Sequence, residues 1–446
     1  MRFTPWATRL ALTLSLSATA LLTACGGSGS GSDTQVRLLN ATRSYSALDL
    51  TVNDKTINSG IGYAAVGSYG GVSTSDTASK VLTSDVGTSI SATTPGLNAN
   101  SHYTYITFGF AGAIRTTLLE ENQDAADANK AKLFVYNLAP DAGAMDVYVT
   151  SASDCSLASE TALTTNLAGG TGSGYIVLNS GTFRVCVTGY NDRTDLRLAI
   201  PAITLDSKSV NTLILTATDG GVLVNGISLV QQGAATSFLN TQSRVRAVAA
   251  LTNGGTVSGT LNGQTLLTGA ISPLIGSYVT VNATSTSTPT TMTLAVNGAN
   301  VSFPVPTLGA GKDTTLMVWG DPAAPNLAVL NDDNRLPTVS GNAKVRLINA
   351  IPTQTAGVSL NIDYTARASN VTPGTTSTPV SIASTASSQV DVVVPTLATP
   401  IYTKSNLAIA SNSVWTFFAV PNTTANPDTT SNFPVPFMQG LPKRER

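Results

Sequence analysis

Residues 133–149 read LFVYNLAPDAGAMDVYV, and versions of this stretch occur four times along the chain. The first run is apolar on both faces, and the second alternates apolar and polar residues with the period of two expected of a strand. Between the runs, Pro140 fixes φ and Gly143 gives the freedom that a turn needs. The stretch therefore predicts a strand–turn–strand hairpin at the start of every repeat.

The spacing of the copies predicts domains. They begin at Val36, Leu133, Val245 and Val345. The period of about 100 residues is the size of a domain rather than of a solenoid unit. A second landmark, a polar turn before a β-branched and aromatic strand, follows late in each copy, as in residues 308–320.

The rest of the pattern favours strands over helices. Asn-Gly pairs beginning at Asn225, Asn262 and Asn297 predict type I′ turns. The acidic stretch 118–130 lacks an apolar stripe, so it predicts a linker or one short helix.

These signals predict an all-β protein, a rod of four tandem antiparallel β-sandwich domains of immunoglobulin-like type. The predicted boundaries are a signal peptide over 1–24, a lipidated cysteine and tether over 25–34, and sandwiches over 35–128, 129–240, 241–341 and 342–446.

The N-terminus carries an export signal. Arg2 and Arg9 precede an apolar run at 10–22 that is too short to span a bilayer. Residues 22–25, LTAC, resemble the lipobox of bacterial lipoproteins, which implies that Cys25 is lipidated and becomes the new N-terminus. Gly26 in the next position resembles sorting signals for the outer membrane, so we expect a lipid-anchored outer-membrane protein that is periplasmic or surface-exposed. An ordinary secretory signal with a chance cysteine is the alternative.

Cys155 and Cys186 remain once Cys25 is assigned to lipid. Export permits oxidation, so they predict a disulfide, with two free thiols as the alternative. Two cysteines without a neighbouring histidine do not complete a zinc shell. We therefore predict neither a metal nor a cofactor.

Composition limits the partners. Charged residues make up 11% of the 446 residues and the formal net charge is −1. A nucleic-acid binder needs clustered Lys and Arg, which this chain lacks. We expect the membrane, through the lipid, and a protein or glycan at the cell surface as partners.

Few residues suggest catalysis. His102 is the one histidine, and no G-x-S-x-G motif accompanies it. The run 309–312, GAGK, fails as a phosphate loop because Pro306 and Asp313 stand where glycine and Ser or Thr are needed. It predicts a β-turn.

Acidic and aromatic residues leave alternatives open. Asp141 with Asp146, and Asp332-Asp333 between Asn331 and Asn334, could bind calcium or act as glycosidase carboxylates. Because Asp and Asn also bond their own backbone in turns, a structural role is the simpler interpretation. Trp319 and Trp415 are predicted core residues, although an outward aromatic would offer a surface for stacking on carbohydrate.

Residues 135–149, together with the turn at 308–312 before a strand, resemble the bacterial DUF4397 family, an uncharacterised domain of exported proteins often found in tandem. Repeats three and four carry Ser258 and Ser359 where the first two have Asp49 and Asp146. The resemblance implies export and tandem architecture, and it supplies no catalytic residue.

We therefore expect a non-catalytic, lipid-anchored protein of the cell envelope that serves in adhesion, scaffolding or binding of a surface polymer. The alternatives are an envelope carbohydrate-active hydrolase that uses carboxylates, and a periplasmic accessory of an export system.

Overall fold

The computed structural model describes residues 33–421 and strand 436–440. Cys25, the signal peptide and the tether up to residue 32 lie outside the described residues. Within those residues, none of the helical segments has the length and hydropathy needed to cross a bilayer.

Domain 1 contains eight strands: β1 (Asp33–Asn40), β2 (Ala47–Val52), β3 (Lys55–Gly62), β4 (Gly70–Ser73), β5 (Ser79–Thr83), β6 (Ser89–Thr93), β7 (His102–Phe108) and β8 (Arg115–Glu120). They form two sheets, with the orders β4-β1-β7-β8 and β3-β2-β5-β6.

Domain 2 contains nine strands: β9 (Lys130–Leu138), β10 (Met145–Thr150), β11 (Thr164–Leu167), β12 (Gly172–Asn179), β13 (Gly181–Gly189), β14 (Asp192–Leu205), β15 (Val210–Ala217), β16 (Val224–Val230) and β17 (Ala235–Phe238). The sheet orders are β12-β9-β15-β16-β17 and β11-β10-β13-β14. A short 3-10 helix spans Pro140–Ala142.

Domain 3 contains nine strands: β18 (Gln242–Leu251), β19 (Thr256–Leu261), β20 (Gln264–Ile271), β21 (Leu274–Ile275), β22 (Val279–Asn282), β23 (Met292–Val296), β24 (Ala299–Val301), β25 (Asp313–Asp321) and β26 (Ala324–Asp332). One sheet has the order β21-β18-β25-β26, with β22 also paired to β18, and the other is β20-β19-β23-β24. A 3-10 turn spans Thr252–Gly254.

Domain 4 contains eight described strands: β27 (Asn342–Asn349), β28 (Val358–Ile362), β29 (Thr365–Val371), β30 (Val380–Ala383), β31 (Thr385–Val393), β32 (Tyr402–Ile409), β33 (Ser413–Ala419) and β34 (Pro436–Gly440). Their orders are β30-β27-β33-β34 and β29-β28-β31-β32. The predicted all-β architecture of tandem β-sandwiches is thus confirmed.

One strand pair in each domain is parallel. The first strand pairs in parallel with the strand of the late landmark: β1 with β7, β9 with β15, β18 with β25 and β27 with β33. The other pairs of named strands are antiparallel, so the first sheet of every domain is mixed rather than purely antiparallel.

The predicted opening hairpin is wrong, because its two strands belong to different sheets. In domain 2, β9 pairs with β12 and β15, whereas β10 pairs with β11 and β13. The Asn137 side chain fixes the crossing: its Nδ2 donates to the carbonyls of Gly143 (3.1 Å) and Leu167 (2.9 Å). The turn therefore carries the chain from one layer of the sandwich to the other.

Two of the three Asn-Gly predictions hold. Asn262-Gly263 and Asn297-Gly298 have positive φ at both positions and join β19 to β20 and β23 to β24. Asn225-Gly226 lies inside β16 instead. A Cβ at Gly226 would lie 3.1 Å from Ile200 and 3.3 Å from Leu198, so this glycine serves close packing. Stretch 118–130 ends β8, continues as a linker and enters β9 without a helix.

The domains pack in two side-by-side pairs, not as an end-to-end rod. The outer face of the mixed sheet of domain 1, with Leu39 and Ile106, packs on that of domain 2, with Ile214 and Ile227. Domains 3 and 4 repeat this arrangement in a cluster that includes Met317 and Phe418. The mixed sheets are buried on both faces, which explains why the opening run is apolar on both faces.

The linker between domains 3 and 4 joins the two pairs. The Leu336 backbone N–H donates to Asp141 Oδ1 (2.6 Å) in domain 2, and the Arg335 guanidinium lies 4.6 Å from the centre of the Phe110 ring in domain 1. The Gly220 N–H also donates to the Gly311 carbonyl (2.8 Å).

Candidate functional site

A buried ionic cluster joins domains 1 and 2. Arg37 of β1 donates from Nη2 to Glu121 Oε2 (2.9 Å) and from Nε to Thr104 Oγ1 (2.9 Å). Domain 2 completes the cluster, since Arg37 Nη1 donates to the Gly233 carbonyl (2.8 Å) and the Gln232 N–H donates to Glu121. We call this group the first interface cluster.

A second interface cluster occupies the same place between domains 3 and 4. Arg246 of β18 donates from Nε to Thr315 Oγ1 (2.8 Å), and that Nε lies 3.7 Å from Asp332 Oδ2. Domain 4 contributes Arg346, whose Nη2 bonds Asp332 Oδ1 and whose Nε donates to Thr416 Oγ1 (3.0 Å). One carboxylate here faces two arginines.

A tyrosine lies over the arginines in both clusters. The Arg37 guanidinium is 4.4 Å from the centre of the Tyr69 ring, and that of Arg246 is 4.7 Å from Tyr278. Each hydroxyl donates to the cluster carboxylate, Glu121 or Asp332. Burial, and then the neighbouring carboxylate, raise the pKa of both tyrosines, so both are hydrogen-bond donors at neutral pH.

The two arginines of the second cluster favour the ionised form of Asp332. Burial opposes ionisation of Asp332, but the charges of Arg346 and Arg246 outweigh it and hold the pKa of this carboxyl below its usual value. A paired carboxylate of this kind accepts hydrogen bonds and has no proton to give at neutral pH.

A polar cleft with a volume of about 280 Å³ lies beside the second cluster. We call it the carboxylate cleft; its walls include Asp219, Asp313, Asp332, Asp333, Lys312 and Arg335. The cations of the chain engage three of these carboxylates: Asp313 pairs with Arg244 (2.9 Å), Asp333 pairs with Arg335 (2.8 Å) and Lys344 (3.1 Å), and Asp332 pairs as described above.

The two acidic pairs for which calcium was the alternative have different partners. Asp141 and Asp146 point to separate partners, because Asp141 accepts from Leu336 and Asp146 accepts from the N–H groups of Asn166 (2.8 Å) and Asn191 (3.0 Å). Among the described residues, no group of three His, Cys, Asp or Glu is arranged to hold a metal ion.

Asp49, Asp146, Ser258 and Ser359 share one structural task. Each lies opposite a β-bulge, where the register with the next strand shifts. Each side-chain oxygen accepts an N–H from a bulge residue with positive φ: Gly60 (2.8 Å), Asn166 (2.8 Å), Gly269 (2.8 Å) and Asn370 (3.0 Å), respectively. The serines of repeats three and four therefore replace the aspartates without loss of this contact.

The predicted disulfide is present in the structure. Cys155 and Cys186 are bonded, with their Cα atoms 5.9 Å apart. Cys186 lies in β13, and Cys155 lies in the loop 151–163 between β10 and β11. The bridge pins this loop, with its Leu157, against Tyr148 on the outer face of the sheet.

The other residues singled out from the sequence are structural. His102 begins β7 and meets Tyr69 edge to face at 4.9 Å. Trp319 packs between domains 3 and 4, and Trp415 packs on the core of domain 4. Lys312 donates its N–H to the Gly309 carbonyl (3.2 Å), as expected of the predicted turn.

Sequence reasoning missed the interface clusters. The signal was an arginine at the second position of the apolar run that opens a repeat, at Arg37, Arg246 and Arg346. A buried arginine requires a carboxylate or carbonyl partner. The partner Glu121 is 84 residues from Arg37, which spacing alone does not reveal.

The model of the family described as "Domain of unknown function (DUF4397)" matches residues 34–148 and 243–356. Each match starts at the first strand of a domain pair and ends within the next domain. A search of curated proteins finds no match. A solved structure described as a "Putative cell adhesion protein", from Parabacteroides distasonis ATCC 8503, covers 71% of this chain and 99% of its own at 10% identity and a TM-score of 0.18. A likeness this weak carries no argument about function.

Proposed function

The chain belongs to the DUF4397 family, and on that premise we propose that it is a non-catalytic protein of the bacterial cell envelope. A lipid on Cys25 anchors it to the outer membrane, and its β-sandwich surfaces bind a protein or polymer outside the cell. Its task is adhesion or scaffolding, not chemistry.

One observation carries the proposal: the buried charged side chains of the two interface clusters are used to join domains. Arg37 and Glu121 are buried between domains 1 and 2, and Asp332 and Arg346 are buried between domains 3 and 4. Buried ion pairs of this kind fix how domains sit together, and the charged groups in them are engaged with each other. They support a preformed arrangement of four domains whose outer surfaces are available to a binding partner.

The surfaces left to a partner are the outer sheet faces and the edge strands. Strands β6, β20 and β29 lie at the edges of their sheets. An exposed edge has unpaired N–H and C=O groups that can accept a strand from a partner. Adhesion by strand addition or by face contact fits this arrangement.

A carbohydrate hydrolase is the second candidate, because the carboxylate cleft brings Asp219, Asp313, Asp332 and Asp333 together. A glycosidase needs one carboxyl with a raised pKa that stays protonated until it donates. Burial also opposes ionisation of Asp333, but the Arg335 hydrogen bond and the Lys344 charge hold its pKa below the usual value. With Asp332 lowered as well, the cleft favours the non-catalytic proposal.

The anchor is tested by labelling with radioactive palmitate. We expect label and outer-membrane fractionation for the unchanged chain and loss of both for Cys25→Ser, with Cys155→Ser as a control that keeps the label. Binding of antibody to intact cells then separates a surface adhesin from a periplasmic export accessory. Equal labelling of Cys25→Ser contradicts the anchor.

The binding role is tested with cells that display the full chain, on arrays of glycans and matrix proteins. We expect retention above cells lacking the protein. Release of reducing sugar from envelope glycans by the purified chain, abolished by Asp219→Asn, would support the hydrolase instead.

A further inference from the structure

The hairpin between β28 and β29 in domain 4 turns on Asp363 and Tyr364, which both have positive φ, 49° and 62°. The corresponding hairpins of domains 1 and 3 use Asn53-Asp54 and Asn262-Gly263. Asn, Asp and Gly tolerate this conformation, whereas a bulky aromatic residue is strained in it. Domain 4 therefore places its tyrosine at a position that disfavours tyrosine.

Folding does not account for this choice. Tyr364 is 80% exposed, the largest exposure among the large hydrophobic side chains of the described residues. Its hydroxyl donates one hydrogen bond, to Gln389 Oε1 (3.2 Å), at the surface. A ring so exposed gains little from burial to offset the strain, and strained exposed residues concentrate at binding sites.

Ordered polar groups surround the ring. Gln389 Nε2 donates to Asp391 Oδ2 (2.9 Å), and Thr403 Oγ1 donates to Asp391 Oδ1 (2.6 Å). Asp363 accepts the Gln389 N–H (2.9 Å) and the Ser388 hydroxyl (2.8 Å). An aromatic face thus stands near the Gln389 amide and the Thr403 hydroxyl, which the buried Asp391 carboxylate (4% exposed) holds in place.

We propose that this tip binds a neutral polysaccharide, with the Tyr364 ring against the C–H face of one sugar and with Gln389 and Thr403, positioned by Asp391, bonding its hydroxyls. The inference rests on the proposed binding function and names its ligand class. Acidic polymers are disfavoured by the exposed carboxylate of Asp363. A protein hot spot needs an apolar cluster that can be desolvated, whereas the neighbours of this ring are polar.

The test combines stability with binding. Tyr364→Gly gives the turn the residue that domain 3 uses, so its melting temperature should be equal or higher. Retention on arrays of neutral gluco-, manno- and galacto-configured oligosaccharides should fall about tenfold, as expected for loss of a stacking ring. Tyr364→Phe should keep most of the binding. Tyr190→Ala, at an exposed tyrosine (54%) of domain 2, is the matched control and should bind as the unchanged chain does.

The outcomes are distinct. A lower melting temperature with unchanged glycan binding in Tyr364→Gly overturns the inference and leaves the proposed function standing. Loss of binding to matrix proteins alone, with no glycan bound by the unchanged chain, makes the tip a protein contact and also overturns it. Binding to neither array overturns the proposed function itself.

Discussion

At the scale of single residues, three arginines occupy the same position in three first strands and make the same first contact. Arg37, Arg246 and Arg346 each donate from Nε to a threonine on the parallel neighbouring strand. Domain 2 has Phe134 there, which packs against Tyr175 instead. The arginine position therefore marks where a domain pair needs an ionic joint.

Removing the carboxylate of the first interface cluster should lower the free energy of unfolding more than removing an exposed carboxylate does. Glu121→Gln leaves Arg37 buried without its counter-charge, so we expect a loss of about 3–5 kcal/mol in the free energy of unfolding. Asp54→Asn, which breaks the exposed pair with Lys80, is the control and should cause no measurable loss. Denaturant titration compares them, and equal stability of the two variants would contradict the joint.

The stability of domains 3 and 4 should depend on acid pH through Asp332. Because the folded pKa of Asp332 is below its usual value, its contribution is present above the unfolded value of about 4 and is lost as pH falls through the folded pKa. Urea unfolding from pH 7 to pH 2 should show this loss. Asp332→Asn should be less stable at pH 7, and its free energy of unfolding should decline less below pH 4. If the two proteins lose stability in parallel as the pH falls, the pH dependence does not arise from Asp332.

Some residue roles follow from sequence and others do not. The bridge between Cys155 and Cys186 could be predicted because two cysteines behind an expected export signal have few alternatives. Tyr364 could not, since only the backbone shows its positive φ.

At the scale of elements, the β-bulge opposite the second strand is the recurring device. Its positive-φ residue leaves an N–H that the ladder does not satisfy, and an oxygen of the second strand accepts it. This contact explains why the first two repeats have an aspartate, Asp49 or Asp146, at this position.

The bulge contact can be tested by exchange between repeats. Ser359→Ala should lower the free energy of unfolding by about 1 kcal/mol, because the Asn370 N–H loses its partner. Ser359→Asp should be near neutral, since Asp49 and Asp146 make the same contact in their own domains. Thermal unfolding measures both, and equal losses would reject the exchange.

The disulfide should stabilise domain 2 locally. It closes a loop of 31 residues, which predicts a loss of roughly 3 kcal/mol on removal. Reductant should reproduce the effect of the double change Cys155→Ala and Cys186→Ala and should not alter that double variant further. Unfolding followed by circular dichroism checks this, and insensitivity of the unchanged chain to reductant would refute it.

The opening strands show how much of the sheet structure a sequence pattern predicts. An apolar run identified β9 as a strand and period-two alternation identified β10, but neither pattern says which sheet a strand joins. Pairing depends on contacts such as those of the Asn137 amide with Leu167, 30 residues away.

At the scale of the whole molecule, the structural unit is a pair of domains that bury each other's mixed sheets. The apolar opening runs indicated burial on both faces, yet the partner of the second face is another domain, which no local pattern names. The family matches begin at 34 and 243, the starts of the two pairs.

A single domain should not behave as a soluble unit. Residues 33–128 alone would expose the face that contains Leu39, Ile106 and Phe108, whereas residues 33–240 bury it. We expect the longer fragment to elute as a folded monomer in size-exclusion chromatography and the shorter one to associate. A monomeric, stable short fragment would show that the face-to-face contact is dispensable.

The linkers within the two domain pairs differ in how much of the chain they expose to a protease. Residues 122–125 and 127–129 between domains 1 and 2 are exposed, whereas between domains 3 and 4 Asn334, Leu336 and Pro337 are buried and only residues 338–341 form an exposed run. Cleavage is therefore expected mainly in the first linker, with 338–341 as the second site. After cleavage in the first linker, the two fragments would remain associated through the apolar faces and through two hydrogen bonds, from Arg37 to the Gly233 carbonyl and from the Gln232 N–H to Glu121, so a nicked molecule would keep its shape.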